Sequence, residues 1–319
     1  MSKKVLIIRG GPSSEHEVSL KTGKAIMDAL AEHYTLTDCV IDKNGDWYVK
    51  GFKSEPQVLV RNHDVVFNAM HGEYGEDGQV QRLLENLGAK FTGPKSLGAS
   101  LSMNKFMAKK IFNDLGIKTP IHKLINRTDN DGNIEQIAVS IFRSMPMPVI
   151  IKPVDRGSSV GLTIARDYAS LVNSLISLFV SYDRLLVEEY IPGKEATVGV
   201  IEEFRNQKHY ALLPIEIRTG ADDLFDYNAK YSGATEEICP GNFSDNEKLL
   251  LQEMAVKAHQ ALGLRHYSRS DFIIHPKRGI YILETNSLPG LTNESLLPKS
   301  LKAVGSDYVQ FLKHIIDLA

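Results

Sequence analysis

The chain is short of cysteine, of net charge and of long apolar runs, and each shortage closes off a class of protein. Two cysteines among 319 residues, Cys39 and Cys239, cannot build a disulfide framework, and they form no CxxC pair for a metal or redox centre. They read as incidental thiols of a reducing compartment. The formal net charge is −2 and no Lys/Arg run stands out, so nucleic acid is not the expected partner. After Lys3-Lys4 the apolar run Val5 to Ile8 stops at Arg9, too short for a signal-peptide core or a membrane span. The expectation is a cytoplasmic protein with no membrane partner. Repeats and low-complexity tracts are also missing, and no histidine pair has metal-ligand spacing.

What is there is ordinary in bulk and specific in detail. Apolar residues make up 43% and charged residues 24% of the chain, the balance of a globular protein of two or three compact domains. Val5 to Ile8 closes on Gly10-Gly11-Pro12, a buried strand running into a loop. Ser14 with Glu17 predicts a capping box and a helix to about Glu32. Further strands are predicted at Val58 to Val60 and Val65 to Asn68, and a helix from Gln79 to Leu87. That alternation predicts a parallel α/β domain over 1–95, with ligand-bearing loops at the strand C-terminal ends. A helix from Ser102 to Leu115 opens an α+β domain over 96–189. There Val149 to Lys152 and Leu162 to Ala165 flank a glycine loop, before a helix at Leu171 to Phe179 and a strand at Leu185 to Glu188. Residues 190–319 form a third unit, with helices at Asn246 to Leu262 and at the C-terminus.

The segment from Arg269 to Asn286 carries most chemistry. Two β-rich runs meet at Pro276-Lys277-Arg278-Gly279, a turn composition. Symmetry about that turn pairs Asp271 with Glu284 and Arg269 with Asn286, and alternation puts all four side chains on one face. Opposed carboxylates repel unless a cation or proton lies between them, and such hard oxygen ligands suit Mg²⁺. Taken alone, a solvated hairpin with surface acids accounts for them equally, and a slip of one residue would scatter the group.

Other segments add weight. Lys152 to Gly161 places a lysine beside a small-residue loop whose N–H groups can approach an anion. Glu188 and Glu195 bracket Ile191-Pro192-Gly193, where backbone can meet an adenine edge and a carboxylate can meet ribose. Thr219 to Ser244 is long and polar yet carries Lys230 and Tyr231, which suggests a lid. Leu288 to Leu296 follows Asn286 with Gly290 and Ser295, donors for a carboxylate or oxyanion. His71 alone among the histidines sits in a suggestive loop. Each also has a plain reading as an ordinary turn, linker or cap.

The order of these motifs resembles the D-alanine–D-alanine ligases of the ATP-grasp superfamily. The resemblance rests on Gly10 to Leu20, His71-Gly72 with Gly75 to Gly78, Asn104-Lys105 and Lys152 to Gly161. It continues through Lys230-Tyr231, Arg269 to Asp271 and Glu284 to Gly290. It implies a three-domain ATP-grasp architecture with ATP between the second and third domains. Lys105, Lys152 and Lys230 would then contact ATP phosphates, with Ser159 also at the nucleotide. Glu188 and Ile191 would hold the adenine and Glu195 the ribose, while Asp271, Glu284 and Asn286 would bind two Mg²⁺ ions, Mn²⁺ being a substitute. Glu15 and His71 would hold the first D-alanine, and Ser295 and Leu296 the second. Ser158 and Tyr231 would link across the closed site, and Arg269 and the Gly290 N–H would stabilise an oxyanion. The implied partners are D-alanine, ATP and a second copy in a homodimer.

The implied reaction makes D-alanyl-D-alanine through an acyl phosphate, for peptidoglycan precursors. The rivals are the same mechanism with another acceptor, such as D-lactate or another D-amino acid, and a silent ATP-binding module. Arg156 stands where the family commonly has an acidic or neutral residue, Leu224 where an aromatic is frequent, and Glu294 where some members have His.

Overall fold

In chain order the elements are β1 (Lys4–Gly10), α1 (His16–Leu30), β2 (Thr35–Ile41), β3 (Trp47–Val49), β4 (Phe52–Lys53), α2 (Pro56–Arg61), β5 (Val65–Asn68) and α3 (Gln79–Asn86). Then come α4 (Ser96–Met103), α5 (Lys105–Asp114), β6 (His122–Asn126), α6 (Ile134–Ser144), β7 (Val149–Pro153), β8 (Thr163–Ala165), α7 (Tyr168–Phe179) and β9 (Arg184–Glu189). The last part holds β10 (Lys194–Phe204), β11 (Gln207–Ala211), β12 (Ile215–Arg218), β13 (Glu236–Ile238), α8 (Asp245–Ala261), β14 (Tyr267–His275), β15 (Gly279–Asn286), α9 (Leu296–Ala303) and α10 (Tyr308–Leu318). This computed structural model describes residues 2–157, 160–218, 236–292 and 294–319.

Three sheets organise these elements. The first has the order β4-β3-β2-β1-β5, with β1 parallel to β2 and β5. Val5, Leu6, Ile7 and Ile8 are all fully buried, as a central strand covered on both faces requires. The second sheet, β6-β9-β7-β8, is antiparallel and packs against α6 and α7. The third, β13-β12-β10-β14-β15 with β11 on β10, is antiparallel as well. The chain is thus α/β at its start and α+β beyond.

Each sheet lies inside one of the ranges 1–95, 96–189 and 190–319, but helices cross between them. Ala108 and Phe112 of α5 enter the core of the third sheet. Phe311, Leu312, Ile315 and Ile316 of α10 join Val5, Ile7, Ile26 and Leu30 of the first. Among the described residues no helix is long and apolar enough to cross a membrane.

Four local expectations are corrected. Val58 to Val60 is helical, not a strand: Pro56 occupies the first turn of α2, where its fixed φ favours a helix, and only Leu59 and Val60 are buried while Val58 is exposed. The helix expected from Ser102 to Leu115 is two, broken at Asn104, whose side chain caps α5 by accepting from the Met107 N–H. Ser14 caps nothing, because its hydroxyl donates to Glu73 and α1 begins at His16. Glu236–Ile238, inside the expected lid, is a strand paired with β12.

Candidate active site

A cleft between the second and third sheets is lined by Lys105, Lys152, Glu188, Ile191, Glu195, Asp271 and Glu284. Its floor is the β14–β15 hairpin. Near the turn the partners are His275–Gly279, Ile274–Ile280, Ile273–Tyr281 and Phe272–Ile282. The register then shifts, and the partners become Asp271–Glu284, Ser270–Thr285 and Arg269–Asn286. Leu283 is the extra residue. A regular ladder continued from the turn would set Leu283 opposite Asp271 and push Glu284 to the other face. The bulge instead lets one strand present two consecutive side chains, Leu283 and Glu284, to the cleft.

The core enforces this register. Phe272, Ile274, Ile280 and Ile282 are buried on the opposite face, and exposing them would cost about 1.5–3 kcal/mol each. Past the bulge that face is taken by Ser270 and Thr285, whose hydroxyls lie 2.9 Å apart. The pairing of Asp271 with Glu284 and of Arg269 with Asn286 expected from turn symmetry is therefore present, but a bulge rather than symmetry produces it.

On the cleft face Asp271 accepts from Thr197 Oγ1 at 2.6 Å, from Arg269 Nε and Nη2 at 2.9 Å, and from Asn286 Nδ2 at 3.2 Å. Burial lowers the proton affinity of Arg269, but the charge and hydrogen bonds of Asp271 together with the charges of Glu284 and Glu76 outweigh it and raise the guanidinium pKa. Lys105 Nζ lies 3.3 Å from Glu284 Oε2 and donates to the Arg156 carbonyl at 2.6 Å. Two carboxylates and a carboxamide on one sheet face are the hard oxygen donors that Mg²⁺ takes, and the adjacent cations show how strongly negative that face is.

Beneath the cleft Glu188 sits between two lysines, with Lys109 Nζ and Lys152 Nζ each 3.0 Å from its carboxylate. All three are buried. Burial raises the Glu188 pKa, yet the two lysine charges prevail and lower it. Lys109 is pushed down to about 8, by burial first and by the Lys152 charge against the pull of Glu188. Sequence reasoning missed Lys109. Its signal was present: Lys105, Ala108, Lys109 and Phe112 are the buried positions of α5, an i, i+3, i+4, i+7 stripe in which two apolar places hold lysine. Ile191 is buried at the cleft wall, and Glu195 lies on β10 opposite Ile273.

The first sheet supplies another wall. Glu15 starts α1, and a Cβ placed on Gly157 would fall 2.5 Å from Glu15 Oε1, so the glycine loop closes directly on it. His71 is buried, its Nδ1 3.1 Å from Glu76 Oε1 and its Nε2 2.9 Å from Thr22 Oγ1. Burial disfavours its charge, but Glu76 outweighs that and raises its pKa. Arg156 pairs with Glu73, whose other oxygen accepts from the Ser13 and Ser14 hydroxyls at 3.1 and 3.3 Å. Gly290 abuts Ser295: a Cβ at Gly290 would fall 2.8 Å from its Oγ. Ser295 occupies the cap position of α9, and Leu296 packs beside Ile215 and Ile217. The calls at Ser158, Ser159, Lys230 and Tyr231 lie outside the described residues.

The chain is similar to known proteins along nearly its whole length. The family described as "D-ala D-ala ligase N-terminus" matches residues 4–58 and 50–94, and "D-ala D-ala ligase C-terminus" matches 111–317. The chain is 35% identical over 322 residues to a D-alanine–D-alanine ligase of Moorella thermoacetica, covering 99% of both chains. It is 36% identical over 318 residues to that of Syntrophobacter fumaroxidans, covering 99% of this chain and 97% of the relative. The crystal structure of the VanG D-Ala:D-Ser ligase from Enterococcus faecalis superposes with a TM-score of 0.84 at 27% identity, over 100% and 99% of the two chains. The D-alanine–D-alanine ligase of Coxiella burnetii shares the fold, with a TM-score of 0.82 at 24% identity over 99% and 93%.

Proposed function

Since the chain belongs to the D-alanine–D-alanine ligase family, and is therefore a ligase that uses ATP, we propose that it joins two D-alanines into the dipeptide of peptidoglycan precursors. It would do so as a cytoplasmic homodimer. The observation that carries this reading is the cleft face of β14 and β15, where Arg269, Asp271, Glu284 and Asn286 converge beside Lys105 and Lys152.

In this reading the carboxylate of the first D-alanine, held by Glu15 and His71, attacks the γ-phosphorus of ATP to give an acyl phosphate and ADP. Lys105, Lys152 and Lys230 offset the charge on the phosphate oxygens. Asp271, Glu284 and Asn286 would hold two Mg²⁺ ions, or Mn²⁺, which supply Lewis-acid charge at those oxygens when bound. In the same reading the Ile191 backbone and Glu188 would face the adenine and Glu195 the ribose, and Ser159, outside the described residues, would contact the nucleotide.

The amine of the second D-alanine, placed by Ser295 and Leu296, then attacks the acyl carbon. Arg269 and the Gly290 N–H receive the tetrahedral oxyanion, phosphate leaves, and the peptide bond is made. Ser158 and Tyr231, both outside the described residues, would complete a hydrogen-bonded link across the closed site, and the lid would keep water from the acyl phosphate. No enzyme nucleophile is required, because phosphorylation already activates the carboxyl.

The test is product identification with D-alanine, ATP and Mg²⁺, beside parallel reactions offering D-serine or D-lactate as acceptor. D-Ala-D-Ala with matched ADP and phosphate is expected. A mixed product in preference to the dipeptide, or ATP hydrolysis with no coupling, would overturn the proposal.

A further inference from the structure

Glu202, His209 and His259 come together on the face of the third sheet opposite the cleft, at its far end. Glu202 follows Ala196, Val198 and Val200 in the inward alternation of β10, five residues beyond Thr197 and so roughly 16 Å along the strand from the Asp271 contact. His209 on β11 is its direct cross-strand partner. His259 descends from α8, fully buried. Their three ligand atoms all lie within 4.8 Å of one another.

We propose that these three side chains form a binding site for a divalent transition-metal ion of the Zn²⁺ class. The direct hydrogen bond between His259 and Glu202 is a long one, and the spacing of the trio also suits a shared cation. His259 Nε2 is 3.4 Å and His209 Nε2 3.8 Å from Glu202 Oε1, longer than an ordinary N–H···O bond of about 2.9 Å. A tetrahedral ion with bonds of about 2.0–2.2 Å separates its ligands by about 3.4 Å.

The remaining atoms of each residue are held as ligand residues require. His259 Nδ1 is 2.8 Å from Ser268 Oγ, and His209 Nδ1 is 3.1 Å from Gln260 Nε2, in a carboxamide that presents its oxygen there once turned over. Each Nε2 is thereby turned toward Glu202, in the manner that outer partners orient metal-bound imidazoles. Glu202 Oε2 accepts from the His266 N–H at 2.7 Å, which fixes the carboxylate and leaves Oε1 for the ion. The nearby Arg265 is engaged by the Phe91 and Gly93 carbonyls. Glu202 and His209 keep 23% and 13% of their side-chain surface, so a fourth position opens to water. Two imidazoles with one carboxylate suit Zn²⁺ better than Mg²⁺. The ion would clip the β10–β11 hairpin to α8, a structural role remote from the chemistry.

The experiment is Zn²⁺ binding to the full chain after chelator treatment, with excess Mg²⁺ to mask the cleft, followed by metal analysis and thermal melting. About one retained Zn²⁺ per chain and a raised Tm are expected in the parent and in Asp271→Asn. His209→Gln should weaken binding about a hundredfold or more while ligase turnover is unchanged. Gln260→Ala should weaken it about tenfold, through loss of the outer partner. The proposal is overturned if the parent retains no Zn²⁺, leaving a hydrogen-bonded His–Glu pair only. It is overturned equally if retention disappears in Asp271→Asn and survives in His209→Gln.

Discussion

The third sheet carries two carboxylate clusters, one on each face, and they are built in the same way but charged differently. On the cleft face Asp271 is paired across the ladder with Glu284, and on the helix face Glu202 is paired with His209. Around the cleft the counter-charges come from an arginine and two lysines; although burial opposes charge on Arg269 and Lys152, Asp271 keeps the Arg269 pKa raised and Glu188 and Glu284 keep that of Lys152 raised. On the helix face Glu202 meets histidines instead. Burial pushes its pKa up, but the His259 hydrogen bond and the His266 N–H prevail and bring it to about 2. A carboxylate facing permanent cations makes a site for polyphosphate and hard ions; one facing imidazoles makes a site sensitive to acid.

The sharpest break of this comparison is Asp271→Asn. It removes charge from the cleft, and we expect turnover to fall about a thousandfold, several kcal/mol of transition-state stabilisation, with some loss in Tm because Arg269 loses its carboxylate partner. Steady-state kinetics and a melt on the same sample check it. Next is Lys109→Met, which leaves Glu188 with one buried cation. Breaking a buried pair costs on the order of 3–5 kcal/mol, so a clear loss in denaturant midpoint is expected, partly recovered when Glu188→Gln is added.

The smallest effect is His266→Gln on the helix side. Burial and the Arg265 charge push the His266 pKa down to about 4, below the ordinary 6.5, so the unfolded chain takes up this proton first. The contribution to stability is complete above pH 6.5 and is lost as pH falls toward 4, on the order of 3 kcal/mol in total. The substitution should flatten the stability profile between those values and leave it unchanged above them; an unaltered acid limb would contradict it.

The legible parts of the molecule were those in which one local rule acts without competition. β1 and β5 are apolar runs with glycine or polar stops, and the β14–β15 turn is marked by Pro276 and Gly279. Helix α2 was misread because three apolar residues have no period, and the deciding residue was Pro56 just before them. Helix α6 was passed over although Ile134, Ile137, Ala138 and Ile141 carry its spacing. The bulge at Leu283 has no local signature, since it shows only when Ile282 and Thr285 are found on the same face. Gly157 beside Glu15 and Glu188 between Lys109 and Lys152 are meetings of distant segments, which no spacing rule reaches. His209 and His259 belong with these: far apart in sequence, they are brought together by a strand pairing and a helix.

One carboxylate has a thermodynamic consequence for the order of events at the cleft. Glu73 holds Arg156 of the glycine loop with one oxygen and the Ser13 and Ser14 hydroxyls with the other, so the two loops share an anchor. If, as proposed, a nucleotide orders the first loop and the amino acid binds beside the second, ordering one would order the other, and the amino acid that follows would lose less freedom on arrival. Linkage makes this reciprocal: the factor by which nucleotide tightens D-alanine equals the factor by which D-alanine tightens nucleotide.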